Sequence, residues 1–219
     1  MPDGFAAAQD TPKELEDRRL ITNDVLPAPP GEVFAASVGA VPGDVIDRST
    51  WTPECPVAVE DLRYATVTFW GFDGRAHTGE LLVHADVADD VIVAFERIYD
   101  ARFPIEEMRV VTAGELDAPP TGDGNNTTSF VCRPAVGRTS WSEHAYGLAI
   151  DINPFHNPYQ RNELILPELA TAYVDRDWVR PGMIQGGDGV TAAFAEIGWG
   201  WGGEWDTVSD WMHFSRSGR

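Results

Sequence analysis

The chain has 219 residues, 43% hydrophobic and 11% aromatic, with 35 acidic against 16 basic side chains for a net charge of −19. That is ample apolar material for a core, with one domain favoured over two, and it excludes a disordered chain. The negative field disfavours nucleic acid and anionic membrane surfaces and suits metal cations or neutral substrates; no stretch reaches the length of a membrane-spanning helix, and no basic start followed by an apolar core marks a signal peptide.

Residues 1–50 are rich in Pro, Ala and Asp, and VLPAPPGEVF reads as extended chain. The expectation is an extended or loosely packed arm over 1–50 ahead of a domain spanning 51–219. From residue 62 the pattern sharpens. LRYATVTFWGF is β-branched and aromatic, DGR at 73–75 is a turn signal, and TGELLVHADV returns as a second strand, so the segment predicts a β-hairpin. ADDVIVAFERIYDARF carries Ile92, Phe95, Ile98, Tyr99 and Arg102 at helical spacing, with Asp89 and Asp90 suited to its first turn. IEEMRVV reads as another strand.

Residues 114–129 are Gly, Pro, Asp, Asn and Thr, which predicts a long loop of the kind that often serves function. FVCRP is a short strand or strand end, and residues 155–187 are irregular. GVTAAFAEIGW predicts a short helix ended by Gly198, WGWGGEW a glycine-tryptophan turn, and DWMHFS a last short strand. The resulting fold class is α+β: one domain with a mainly antiparallel sheet and helices on one side. Cys55 and Cys132 are either two separate buried thiols or one disulfide, and a disulfide would imply an oxidising compartment.

The chemistry concentrates in SWSEHAYGLAIDINP, residues 140–154. As a strand, GLAIDIN points Leu148, Ile150 and Ile152 to the core and Asp151 to the opposite face. His144 lies just before it, on a turn that Gly147 relaxes. A metal is one partner that would satisfy both; zinc accepts imidazole nitrogen and carboxylate oxygen, and a third ligand is then required. His77 and His84 fall in the early hairpin and His156 in a loop, so His213 in the last strand is the third ligand on pattern. Three protein ligands leave a position for water, and Asp210, three residues before His213, is placed to take that water's proton. On spacing alone the rival remains a structural hydrogen bond between His144 and Asp151, with His213 packed at a sheet edge.

SEHAYGLAID resembles the Ser-x-His-x-x-Gly-x-Ala-x-Asp signature of the zinc D-alanyl-D-alanine peptidases of the VanX and VanY kind and of the related L-alanyl-D-glutamate endopeptidases. GWGWGGEWDTVSDWMHF resembles their second signature, and the two occur in the family's order. The resemblance implies a hedgehog/D-Ala-D-Ala-peptidase-like fold with a zinc site in the sheet's cleft. It implies Zn2+ held by His144, Asp151 and His213, with Asp210 as the catalytic acid/base. The family's substrate-binding arginine falls on Arg133, with Arg109 and Arg138 as rivals, and its signature serine on Ser142, as a substrate contact or a turn cap. Glu204, where the family usually has aspartate, reads as a partner for a ligand histidine or as a turn residue. Trp199, Trp201 and Trp205 read as cleft wall or as packing.

The implied function is zinc-dependent hydrolysis of bacterial peptidoglycan stem peptides, of D-Ala-D-Ala carboxypeptidase type first. An L-Ala-D-Glu endopeptidase and a non-catalytic zinc-stabilised binding module are the alternatives. The implied partner is a peptidoglycan peptide, with no nucleic acid and no membrane span; the oligomeric state is left open. The implied location is secreted or cell-wall associated.

Overall fold

The computed structural model describes residues 6–219, so the first five residues of the expected arm lie outside the described residues. Its framework is an antiparallel sheet of β1 (Ala36–Gly39), β2 (Leu62–Trp70) and β3 (Ala76–His84). The expected hairpin is β2–β3, in register from Leu62 opposite His84 to Trp70 opposite Ala76. α1 (Gly43–Arg48) lies between β1 and β2 in sequence. α2 (Ala88–Asp100) forms where the apolar period predicts it; Ala88, Val91, Ala94, Phe95, Ile98 and Tyr99 are buried on one face.

β4 (Glu107–Met108) pairs in parallel with β5 (Asn126–Thr127). Between them lies α3 (Ala113–Asp117), started by a capping box in which the Thr112 hydroxyl accepts from the Glu115 N–H and the Glu115 carboxylate accepts from the Thr112 N–H. The segment expected as an uninterrupted loop over 114–129 therefore contains most of a short helix and a strand. β6 (Ala149–Asp151), β7 (Tyr159–Arg161) and β8 (Leu164–Leu166) follow, then α4 (Gly189–Glu196), β9 (Gly200–Trp201), β10 (Ser209–Asp210) and β11 (His213–Ser215). These strands form two further three-stranded antiparallel sheets, β10-β7-β8 and β6-β11-β9.

The α+β class holds, but the single expected sheet is divided into several small ones. The later strands are only two or three residues long. Pro158 directly precedes β7 and Pro167 directly follows β8, and a residue without an N–H cannot continue a ladder. One core nevertheless joins the first sheet, the β6–β11 strands and the α2/α4 pair, through Phe69, Leu81, Val91, Phe95, Ile150, Phe194 and Phe214. Each such fully buried side chain contributes about 1.5–3 kcal/mol. Phe194 of α4 stacks on Phe214 of β11 at 4.1 Å and meets Phe95 of α2 edge-on at 6.5 Å, so the helices fix the last strand in place.

The N-terminal segment is anchored rather than loose between Gln9 and Asp24. Arg18 is buried, and its guanidinium grips both oxygens of buried Glu106 at 2.7 and 2.8 Å and donates to the Asp123 carbonyl at 2.8 Å. Its own carbonyl accepts from His156 Nε2 at 3.0 Å, and its N–H donates to the Tyr173 hydroxyl. Asp24 meets His77 at 2.9 Å. Composition suggested slack because an ion pair between positions 18 and 106 leaves no local pattern. Cys55 and Cys132 form a disulfide, with Cα atoms 5.9 Å apart. Among the described residues no helix is long and apolar enough to cross a membrane.

Candidate metal centre

Strand register puts two of the expected residues face to face. β11 pairs antiparallel with β6, so that His213 stands opposite Asp151, Phe214 opposite Ile150 and Ser215 opposite Ala149. Ile150 and Phe214 go to the core, and alternation sends Asp151 and His213 to the other face together. His144 arrives from the 3-10 turn Glu143–Tyr146, which the Ser142 hydroxyl caps by accepting the His144 N–H at 3.3 Å. The turn ends at Gly147, whose φ of +69° suits glycine, and whose missing Cβ would lie 2.7 Å from the His84 nitrogen. Any larger residue there would push the turn off β3.

The three side chains converge. His144 Nε2 lies 3.2 Å from Asp151 Oδ2 and 3.2 Å from His213 Nδ1, which lies 3.0 Å from Asp151 Oδ1. One ligand atom from each falls within 4.8 Å of the others, and both histidines are buried. Each imidazole uses its outer nitrogen on a main-chain oxygen: His144 Nδ1 donates to Ser129 O at 2.6 Å, and His213 Nε2 to Arg219 O at 3.3 Å. With those protons committed, neutral rings turn two bare lone pairs towards each other and towards a carboxylate. Neither neutral ring can donate to the other, so the arrangement is satisfied by a cation at its centre or by protonation of one ring. The donor set, two imidazole nitrogens and a carboxylate oxygen, is one that zinc accepts.

The local titration behaviour follows from the same crowding. Burial works to raise Asp151, but His144 and His213 outweigh it and hold the carboxyl well below its usual range. Burial works to lower His213, yet its bond to Asp151 and the surrounding carboxylates raise it. Asp210 is opposite in character. Burial pushes it up to about 7 and the Asp151 charge adds to this, while His213 and Arg133 pull it down. Its Oδ1 is buried without a hydrogen-bond partner, although the Asp210 backbone is fixed by pairing with Tyr159 of β7. A carboxylate in such a setting is suited to gaining and losing a proton near neutrality.

The remaining expected residues are placed as follows. Arg133 is half-buried and feels the Asp210 charge; among the described residues its only side-chain hydrogen bond is to the Pro134 carbonyl, at 3.2 Å. Arg109 is occupied by Glu107 and Glu115 at 3.3 and 2.6 Å, and Arg138 is exposed. Ser142 is placed as the turn cap. Glu204 is exposed at the end of the 3-10 turn Gly202–Glu204, and the outer nitrogens of His144 and His213 go to Ser129 and Arg219 instead. Of the three tryptophans only Trp205 reaches the centre, its ring 5.4 Å from that of His213; Trp199 packs on Phe194 and Trp201 on Phe214. The two main-chain oxygens are what sequence reasoning missed, because a main-chain oxygen is common to every residue type and leaves no signal.

No curated protein and no solved structure matches the chain. Residues 136–216 match the family model described as D-alanyl-D-alanine carboxypeptidase. That span contains His144, Asp151, Asp210 and His213 and stops short of Arg133. Over these residues, about a third of its length, the chain is similar to a peptidase family, and the match supports the resemblance to the VanX/VanY-like metallopeptidases.

Proposed function

We propose that the chain is a zinc-dependent peptidase that hydrolyses bacterial peptidoglycan stem peptides, of D-Ala-D-Ala carboxypeptidase type. The observation that carries this reading is the meeting of two imidazole nitrogens and a carboxylate beside Asp210, whose Oδ1 is buried without a hydrogen-bond partner. His144, Asp151 and His213 would hold the ion. Zinc in that place supplies a Lewis acid that polarises a carbonyl and makes water more acidic.

The protein's own groups account for the proton and the orientation. Asp210 takes a proton from the attacking water as the water oxygen bonds to the carbonyl carbon. It then gives the proton to the leaving nitrogen as the C–N bond breaks, so one residue serves both halves. Arg133, which has no carboxylate partner among the described residues, offers its planar fork to the substrate's terminal carboxylate. A purely structural metal site has no use for a neighbouring carboxylate with a buried, unpartnered oxygen, which weighs against a non-catalytic module. The disulfide supports a secreted or wall-associated location.

The test is mass analysis of products from a defined pentapeptide stem. Release of the terminal D-Ala is expected, abolished by a chelator and restored by zinc. Asp210→Asn should lower kcat by about 10²–10⁴-fold while zinc stays bound. Cleavage between L-Ala and D-Glu instead would make the chain an endopeptidase, and no cleavage of any stem peptide would overturn the enzymatic reading.

A further inference from the structure

We propose that the tail Arg216–Arg219 is a positioning element of the metal centre, holding His213 in the one tautomer that can ligate through Nδ1. This rests on the metal reading above and adds to it a role for residues outside the ligand set. The tail reverses at a turn in which Gly218 N–H donates to Ser215 O at 3.2 Å and Gly218 takes φ +73°. The reversal brings the Arg219 main-chain oxygen back over β11. Two donors converge on that oxygen: Ser215 Oγ at 2.9 Å and His213 Nε2 at 3.3 Å. The preceding carbonyl, of Gly218, accepts Trp205 Nε1 at 2.8 Å, and the Trp205 ring lies 5.4 Å from that of His213.

The fold makes room for this return at Gly200. A Cβ there would lie 2.6 Å from the Gly218 Cα, a contact that no backbone tolerates. Gly200 stands opposite Ser215 in the β9–β11 pair, so the strand that carries the ligand and the strand that admits the tail are the same two. A neutral imidazole has one proton. Placing an acceptor at Nε2 keeps that proton there and leaves the Nδ1 lone pair facing Asp151 and His144. Without the tail, Nδ1–H donating to Asp151 is the competing arrangement, and it blocks ligation.

The experiment compares Gly200→Ala, which displaces Gly218, and Ser215→Ala, which removes the hydroxyl holding the Arg219 oxygen, with Arg97→Ala on the exposed face of α2 as a control. Zinc affinity is measured by competition with a chromophoric chelator, and the ring N–H protons of the zinc-loaded proteins are followed by NMR. The two test variants should bind zinc about 10–100-fold more weakly. They should also lose the protected His213 Nε2–H signal and keep the His144 Nδ1–H signal held by Ser129. The control should match wild type. Ser215→Ala keeps the test open if Gly200→Ala does not fold. Unchanged zinc affinity with an unchanged His213 signal would overturn the inference while the metal centre stood. A wild-type chain that binds no zinc would remove the metal reading itself and this role with it.

Discussion

His213 and Asp151 stand opposite each other on β11 and β6, with Nδ1 and Oδ1 3.0 Å apart. They are 62 residues apart in sequence, and the register that joins them also sends Phe214 and Ile150 into the core. The centre is thus set by core packing. A slip of one residue in that pairing would bury the acid and expose the phenylalanine.

Asp210 should cost stability as long as no cation is present. Its folded value of about 7 lies above the ordinary 3.8, so the folded chain retains a proton that the unfolded chain has released. Stability contributed by the protonated form is complete below about pH 4 and is lost as pH rises through 7. In chelator at pH 8, Asp210→Asn should therefore stabilise the protein by about 1–3 kcal/mol, with no gain at pH 4. Urea melts at the two pH values check this; a variant less stable than wild type at pH 8 would contradict it.

His156 should make the fold acid-sensitive. Its Nε2–H donates to Arg18 O, and its Nδ1 accepts from Asn125 Nδ2 at 3.0 Å, which fixes the neutral ring. Burial depresses its folded value to about 3 from the ordinary 6.5. The unfolded chain then binds the extra proton first, so stability is whole above about pH 6.5 and falls as pH drops towards 3. At pH 4.5 the loss from this group should be about 2–3 kcal/mol. The His156 ring carbons, followed by NMR titration, should show no protonation of the folded state down to pH 4.5.

Arg18→Ala should destabilise strongly. It leaves Glu106 buried with its charge uncompensated, a change that costs about 3–5 kcal/mol. Arg19→Ala, one residue on, breaks only an exposed pair with Asp17 and should shift stability by less than about 1 kcal/mol. Denaturant midpoints of the two variants measured side by side decide whether the arm is integral to the fold.

The parts of the structure legible in sequence are those with a short-range period or a dense motif. The hairpin over 62–84 and α2 announce themselves by alternation and by apolar spacing. SEHAYGLAID and DWMHF concentrate ionisable groups where an apolar run predicts none, which is why the converging residues could be named. What stayed hidden is set by long-range or main-chain contacts. β7 and β8 pair within a Pro- and polar-rich stretch that has no strand period. The Arg18–Glu106 pair spans 88 residues, and the acceptors of His144 and His213 are main-chain oxygens. α3 was a different case: its Thr112-to-Glu115 box is local and readable, but the Gly, Pro and Asp around it outweighed the signal.

The most direct test of the central claim, that His144, Asp151 and His213 share one divalent ion, is the zinc content of purified protein at equilibrium. The account predicts one zinc per chain for wild type and for Asp210→Asn, and a loss of binding for His144→Ala, Asp151→Ala and His213→Ala alike. Retention of zinc by any of those three alanine variants at wild-type affinity, or a wild-type chain that takes up none, would contradict it.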